Sequence, residues 1–289
     1  MATLTPQSER SRSYIPARPG GRHRVGNRRV RENTVYALFS HTAVLVGRIL
    51  TRWSRDPATT AETVLVPAAF LVTLNIVLGN GLTQVLGFSP LYASVPLVAM
   101  VAATQGATVG GLGLMRERDE GLLSRLWVVP MHRAAGLVAR LTAEMIRIFV
   151  ATIVLGVLAL VLGFRFQQGF FATVAWFFIP CIFGLAFAIL VATLALYSAK
   201  TIVVEATALI SGVLMFFSTG FVPLSQYPEW LQPIVKNQPL SNTVEVMKGL
   251  SIGGPIASPM GGLLIWSLAI IVICVVPMGI AYKKACTRG

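Results

Sequence analysis

Long apolar runs alternate with short polar breaks along the chain. Six runs stand out, at about residues 61–80, 92–115, 137–162, 171–196, 202–222 and 260–281. A helix rises about 1.5 Å per residue and a bilayer core is about 30 Å thick, so about 20 apolar residues suffice to cross it. Pro67 predicts a kink in the first run. The second run carries Ala102, Gly106 and Gly110 at intervals of four. Such a row of small residues lets two helices approach closely, within one chain or between two. The pattern predicts an all-α integral membrane protein with six transmembrane helices.

Three segments outside the runs have patterns of their own. In YALFSHTAVLVGRILTRW, residues 36–53, a helix sets Phe39, Ala43, Val46, Ile49, Leu50 and Trp53 on one face. The opposite face holds Ser40, Gly47, Arg48, Thr51 and Arg55, with Arg52 near its end. Such a helix lies flat in the membrane interface or packs its stripe on protein, and Asp56-Pro57 ends it. Between the second and third runs lies RERDEGLLSRLWVVPMHR, residues 116–133. Read as a helix over 117–129, it puts Leu122, Leu126 and Val129 on one side, with charged residues around them. A helix like this docks its apolar side in a partner's groove while its charges set the register. The last segment, residues 218–259, holds Pro223, Pro228, Pro233, Pro239, Pro255 and Pro259. Its pieces WLQPIV and SNTVEVMKGL are expected as short external helices in a packed cap, because backbone at membrane depth must be satisfied by protein.

Charge supplies the orientation. Only 12% of residues are charged, against about 25% in a typical soluble domain, yet the net charge is +13. With the N-terminus in the cytoplasm, the external side keeps only Arg165, Lys236 and Lys248 of the 24 lysines and arginines. The positive-inside bias then makes both termini, and the patch at 116–133, cytoplasmic. Residues 1–35 are basic and poor in apolar side chains, which predicts a disordered cytoplasmic tail without the apolar core of a signal peptide. Beside a membrane, such a tail suits anionic lipid rather than nucleic acid.

A few ionisable residues fall within or beside the runs. Arg140, Glu144 and Arg147 share one helical face at the start of the third, where Glu144 is in reach of both arginines. Glu205 lies near the start of the fifth. Snorkelling to the cytoplasmic interface is the simpler expectation for them, and a polar cavity within the membrane is the alternative.

Several chemistries are absent from the sequence. There is no Walker A sequence, so the chain by itself is not expected to hydrolyse ATP. There is no HExxH, and His23, His41 and His132 all lie outside the spans, leaving no intramembrane Ser/His pair. Cys181, Cys274 and Cys286 have no metal or disulfide spacing. No span carries periodic arginine. An ion-coupled multidrug carrier remains an alternative, one that predicts transport by this chain without ATP. A membrane lipid enzyme is a further alternative, and it requires a polar catalytic cluster.

LMRERDEGLLSRLWVVPMHR resembles the cytoplasmic loop of ABC-2 type permeases, roughly E-R-E-x-G-T-L-E-x-L-x-x-x-P-x-x-R. Glu117, Arg118, Gly121, Leu126, Pro130 and Arg133 fit that pattern, with Asp119 in place of the second Glu and a different residue at Ser124. STGFVPLSQYPEWLQPIVKNQPLSNTVEVMKGL, residues 218–250, resembles the family's segment after its fifth span. The runs LTRWSRDPATT, LNIVLGN and VLGFRFQQG are similar to those of mycobacterial daunorubicin-resistance permeases, a group that includes exporters of phthiocerol dimycocerosate.

The resemblance implies the ABC-2 (type V) exporter architecture: a connecting helix over 36–56, a transmembrane domain over 57–289, and external helices between spans five and six. It implies that Arg116, Glu117, Arg118, Glu120, Gly121, Leu122, Arg125, Leu126, Trp127, Pro130 and Arg133 form a coupling helix seated in an ATPase subunit. Phe39, Val46, Arg48, Arg52 and Trp53 would belong to the connecting helix. The implied partners are a cytoplasmic ATPase carrying ATP and Mg, and a second permease chain, with a heterodimer favoured and a homodimer possible. The implied cargo is a complex lipid or an amphiphilic drug.

Overall fold

The computed structural model describes residues 34–86, 89–128 and 131–287; the side chains of 59–60, 78–86, 126–128 and 287 lie outside that description. The basic tail, Val129 and Pro130 therefore fall outside the described residues. Everything regular among the described residues is helical. The order is α1 (Val35–Ser54), α2 (Pro57–Thr60), a π-helical turn (Ala61–Leu65), α3 (Val66–Leu86), α4 (Leu91–Asp119), α5 (Leu122–Val128) and α6 (Ala135–Val161). Then come α7 (Gly169–Tyr197), α8 (Thr201–Phe216), a 3-10 turn (Leu224–Gln226), α9 (Gln232–Asn237), α10 (Pro239–Ile252) and α11 (Ala257–Thr287).

Four of these helices, α4, α6, α7 and α11, are long and apolar enough to cross a membrane, and two shorter apolar helices cover Ala61–Val77 and Thr201–Phe216. The expected second, third, fourth and sixth runs thus reappear as long helices, and all but α6, which ends at Val161, extend past their expected bounds at both ends. The first run begins with the wide turn at Ala61–Leu65, just before Pro67. Proline has no N–H for the carbonyl four residues back, so the helix loosens there.

The fifth run, expected to reach residue 222, stops as a helix at Phe216. Gln238 is the reason. Its amide donates to the carbonyls of Leu214 at 3.3 Å and Phe217 at 2.5 Å, satisfying acceptors that a further helical turn would have taken. The chain then folds back. The expected short helices appear as α9 and α10, and α10 packs against α4, α7 and α11 with Leu240, Val244, Val246 and Met247 fully buried. The proline-rich segment is therefore a packed cap. It is tied on by Gln167, whose backbone N–H donates to the carbonyl of Ser251 at 2.9 Å.

α1 packs along α6, where Ala135, Ala139 and Ala143 form a smooth stripe under Leu45 and Val46. The stripe on α1 is rotated from the expected one. Val46 is buried and Ile49, Leu50 and Trp53 are partly covered, but Phe39 is 72% exposed and Ala43 is exposed. Leu38, Thr42 and Leu45 take their place against α6, because the alanine stripe sets the contact line. His41 reinforces it by accepting the backbone N–H of His132 at 3.2 Å.

The expected single helix over 117–129 is not formed. Glu117 and Arg118 belong to the last turn of α4, and the helix breaks at Glu120–Gly121, where Gly121 has φ +69°. A left-handed backbone there favours glycine and ends α4, with the Glu120 N–H still reaching the Arg116 carbonyl at 2.9 Å. Only Leu122–Val128 forms the short helix α5. Its Leu123 is 3% exposed and anchors it in the core.

Candidate functional site: a buried charge ladder beneath the charged patch

Burial divides the patch into two sets. Arg116, Asp119, Glu120, Arg125 and Arg133 are exposed, whereas Glu117, Arg118, Gly121 and Leu122 are partly covered. Leu126 and Trp127 belong to α5 by backbone, but their side chains lie outside the described residues. Arg48 is exposed on α1 and borders a cavity of about 50 Å³ enclosed by Glu117, Leu122, Arg140 and Tyr282.

Glu117 faces inward. It pairs with Arg140 of α6 at 2.6 Å and, more loosely, with Arg52 of α1 at 3.5 Å. Arg140 also donates to the carbonyl of Gly110 at 2.7 Å. One carboxylate thus ties the end of α4 to two neighbouring helices. The Arg52 side is worth little, since that side chain is 61% exposed.

Arg118 reaches the other way. Its Nη1 donates to the carbonyls of Ala195 at 2.8 Å, Leu196 at 3.2 Å and Ser198 at 2.7 Å. These acceptors sit at the C-terminal end of α7, where carbonyls lack helical partners and the helix dipole is negative. A second guanidinium nitrogen pairs with Asp119 at 2.8 Å. Two residues expected to face an ATPase are thus committed inside the chain.

The ladder continues toward the middle of α6. Glu144 pairs with Arg147, and both are buried, at 3% and 8% exposure. They fit because α4 presents glycine opposite them. A β-carbon on Gly106 would come within 2.8 Å of Arg147, and one on Gly110 would collide with Glu144. The Arg147 guanidinium carbon also lies 4.5 Å from the centroid of the Trp53 ring of α1, a cation–π contact. Among the described residues, Glu144 Oε1 and Arg147 Nε and Nη1 have no hydrogen-bond partner.

Snorkelling is therefore corrected for Glu144 and Arg147. The glycine trough on α4 lets the side chains lie inside protein, and the pair neutralises itself there. Arg140, expected to share Glu144, is drawn to Glu117 instead. Glu205 is exposed on α8. The spacing of Ala102, Gly106 and Gly110 does mark a helix contact, and that contact lies within the chain. The sequence signal for the ladder was present in two matching periods, glycines at 106 and 110 and charges at 140, 144 and 147. Nothing in it distinguished α6 from any other neighbour. The α7 cap by Arg118 had no signal of its own.

Among the described residues, no cluster of three His, Cys, Asp or Glu side chains is placed to hold a metal, and the three cysteines are buried and unlinked. The arrangement joins exposed charges at the end of α4 and on α5, Asp119, Glu120 and Arg125 among them, to inner charges on α4 that hold α1, α6 and α7.

Comparison with known proteins agrees with this geometry. The family model described as ABC-2 type transporter matches residues 40–250. A Mycobacterium tuberculosis protein described as a probable doxorubicin resistance ABC transporter permease, DrrC, is 46% identical over 257 residues, 89% of this chain and 93% of the relative. A Streptomyces coeruleorubidus daunorubicin resistance ABC transporter permease, DrrB1, is 25% identical over 252 residues, 87% of this chain and 84% of the relative. With the all-helical membrane architecture and the absence of a Walker A sequence, the chain belongs to the ABC-2 type transporter family as a multi-pass permease subunit, in which ATP is bound by a partner ATPase.

Proposed function

We propose that the chain forms one half of the membrane pathway of an ATP-driven exporter, with a second permease chain as the other half and a heterodimer as the assembly. Six spans cross the plasma membrane, the four long helices together with the apolar helices over Ala61–Val77 and Thr201–Phe216, and both termini are cytoplasmic. The cargo is amphiphilic, a drug or a complex lipid of the phthiocerol dimycocerosate kind. The doxorubicin and daunorubicin resistance named for the relatives supports the drug. The resemblance of LTRWSRDPATT, LNIVLGN and VLGFRFQQG to a permease group that includes dimycocerosate exporters supports the lipid.

One observation carries the coupling role. Exposed Glu120 and Arg125 flank the junction at Gly121, and the adjoining Glu117 and Arg118 grip α1, α6 and α7. A push on α5 by an ATPase is thereby delivered to α4 and three neighbours together. Arg116, Leu122, Leu126, Trp127, Pro130 and Arg133 complete the seat, and α1 is the connecting helix.

The test is a mild-detergent pull-down from native cells, comparing the natural chain with a Glu120→Arg, Arg125→Glu variant. The natural chain is expected to bring down a Walker-motif ATPase and a second permease. The variant should keep its membrane level and thermal stability but lose the ATPase and export. An ATPase retained in full by the variant would refute the seat, and export without ATP would favour the ion-coupled carrier.

A further inference from the structure

A cavity of about 540 Å³ opens at the end of the bundle opposite the patch, between the start of α4, the segment after α8, α9, α10 and the start of α11. Among the described residues, only Arg165, Lys236 and Lys248 are basic at this end of the bundle, and two of the three, Lys236 and Lys248, line this one cavity. Arg165 is the one other positive charge at this end among the described residues, so the two lysines are a local feature of the cavity. Glu245 lies 3.8 Å from Lys248 and offsets one of the two charges, leaving the cavity net positive. Lys236 is presented by a fixed element, since the next residue, Asn237, accepts the indole N–H of Trp266 of α11 at 2.7 Å. The hydroxyl of Thr219, also in the wall, is buried without a hydrogen-bond partner among the described residues. The remaining wall includes Leu74 and Phe221.

We infer that this cavity binds the phosphate-bearing head of an anionic phospholipid, with the phosphate between the lysines and the first part of an acyl chain along Leu74 and Phe221. The volume falls in the range of small-ligand sites, about 300–1,000 Å³. A cavity whose wall is apolar on one part, with Leu74, Phe221 and Leu224, and polar or charged on the rest suits an amphiphile better than a free anion. Two ammonium groups disfavour a cationic amphiphile. The inference rests on the permease reading only in setting this end of the bundle at a membrane surface.

The test uses the full-length chain in nanodiscs of equal phosphatidylcholine and phosphatidylglycerol, without ATP or ATPase. Retained lipids are counted by native mass spectrometry after mild extraction. A failed coupling reading would leave this result untouched. The natural chain should retain phosphatidylglycerol over phosphatidylcholine, and Lys236→Ala with Lys248→Ala should lower that preference about tenfold. The paired Arg variant should keep it. Glu245→Gln should raise it, which keeps the test decisive if the alanine variant fails to fold. An unchanged preference in the alanine pair, or its loss in the arginine pair, would overturn the site. Displacement of the lipid by soluble glycerol phosphate would show a free-phosphate site and overturn the lipid assignment.

Discussion

The carboxylate of Glu144 on α6 lies where a β-carbon on Gly110 of α4 would have to sit. The contact explains how a chain read as spanning a membrane keeps an ion pair in its core. Glycine removes the steric obstacle, and the pair removes the net charge. An ion pair of this kind is seldom a large stabiliser, but breaking it is costly. It therefore fixes how α4 and α6 meet more firmly than it strengthens the bundle.

Gly110→Ala should push Glu144 out of its place and cost about 1–3 kcal/mol, the usual penalty for overpacking. Thermal unfolding of the purified chain in detergent measures it. Gly47→Ala is the control, since a β-carbon there meets nothing within 4 Å among the described residues. Equal melting of both variants would contradict the close approach.

Removing only one member of the buried pair strands the other. Glu144→Leu should cost about 3–5 kcal/mol, while Glu144→Leu combined with Arg147→Met should recover most of that loss. A double-mutant cycle on thermal stability reads the coupling. Additive losses would mean the two charges do not depend on each other.

Arg118 should behave as a helix cap. Arg118→Ala leaves the last carbonyls of α7 without their donor and should cost about 1–3 kcal/mol. Hydrogen exchange should quicken locally at residues 194–200, including the Ser198 amide that bonds Leu194 at 2.8 Å. Unchanged exchange there, with loss of ATPase binding, would return Arg118 to the partner-facing set.

Gln238 sets where α8 stops. Gln238→Leu should free the segment 217–223 and make it the first site of limited proteolysis, because two carbonyls and the Ser241 hydroxyl lose their donor. A cleavage pattern identical to that of the natural chain would show that the turn holds without it.

Much of the chain was determined by its own sequence. Apolar runs longer than a bilayer core can only be helices, since every backbone polar group must be satisfied within the segment. The four long helices, the short helices of the proline-rich segment and the helical nature of α1 follow from that rule and from local periodicity. Turn chemistry was legible too, in that only glycine readily takes the backbone of Gly121, yet its meaning as a break in the patch was missed. The hydrophobic pattern continues across Gly121, and periodicity does not register a single left-handed residue.

Tertiary structure decided the rest. Which face of α1 is buried depends on the alanine stripe of α6, about ninety residues away, so Phe39 points outward although it belongs to the apolar face by periodicity. The end of α8 depends on Gln238, and the roles of Glu117 and Arg118 depend on acceptors and partners in α1, α6 and α7. Local spacing predicts that a charge will find a partner. Only the packing of distant helices decides whether that partner lies in the same chain or in another.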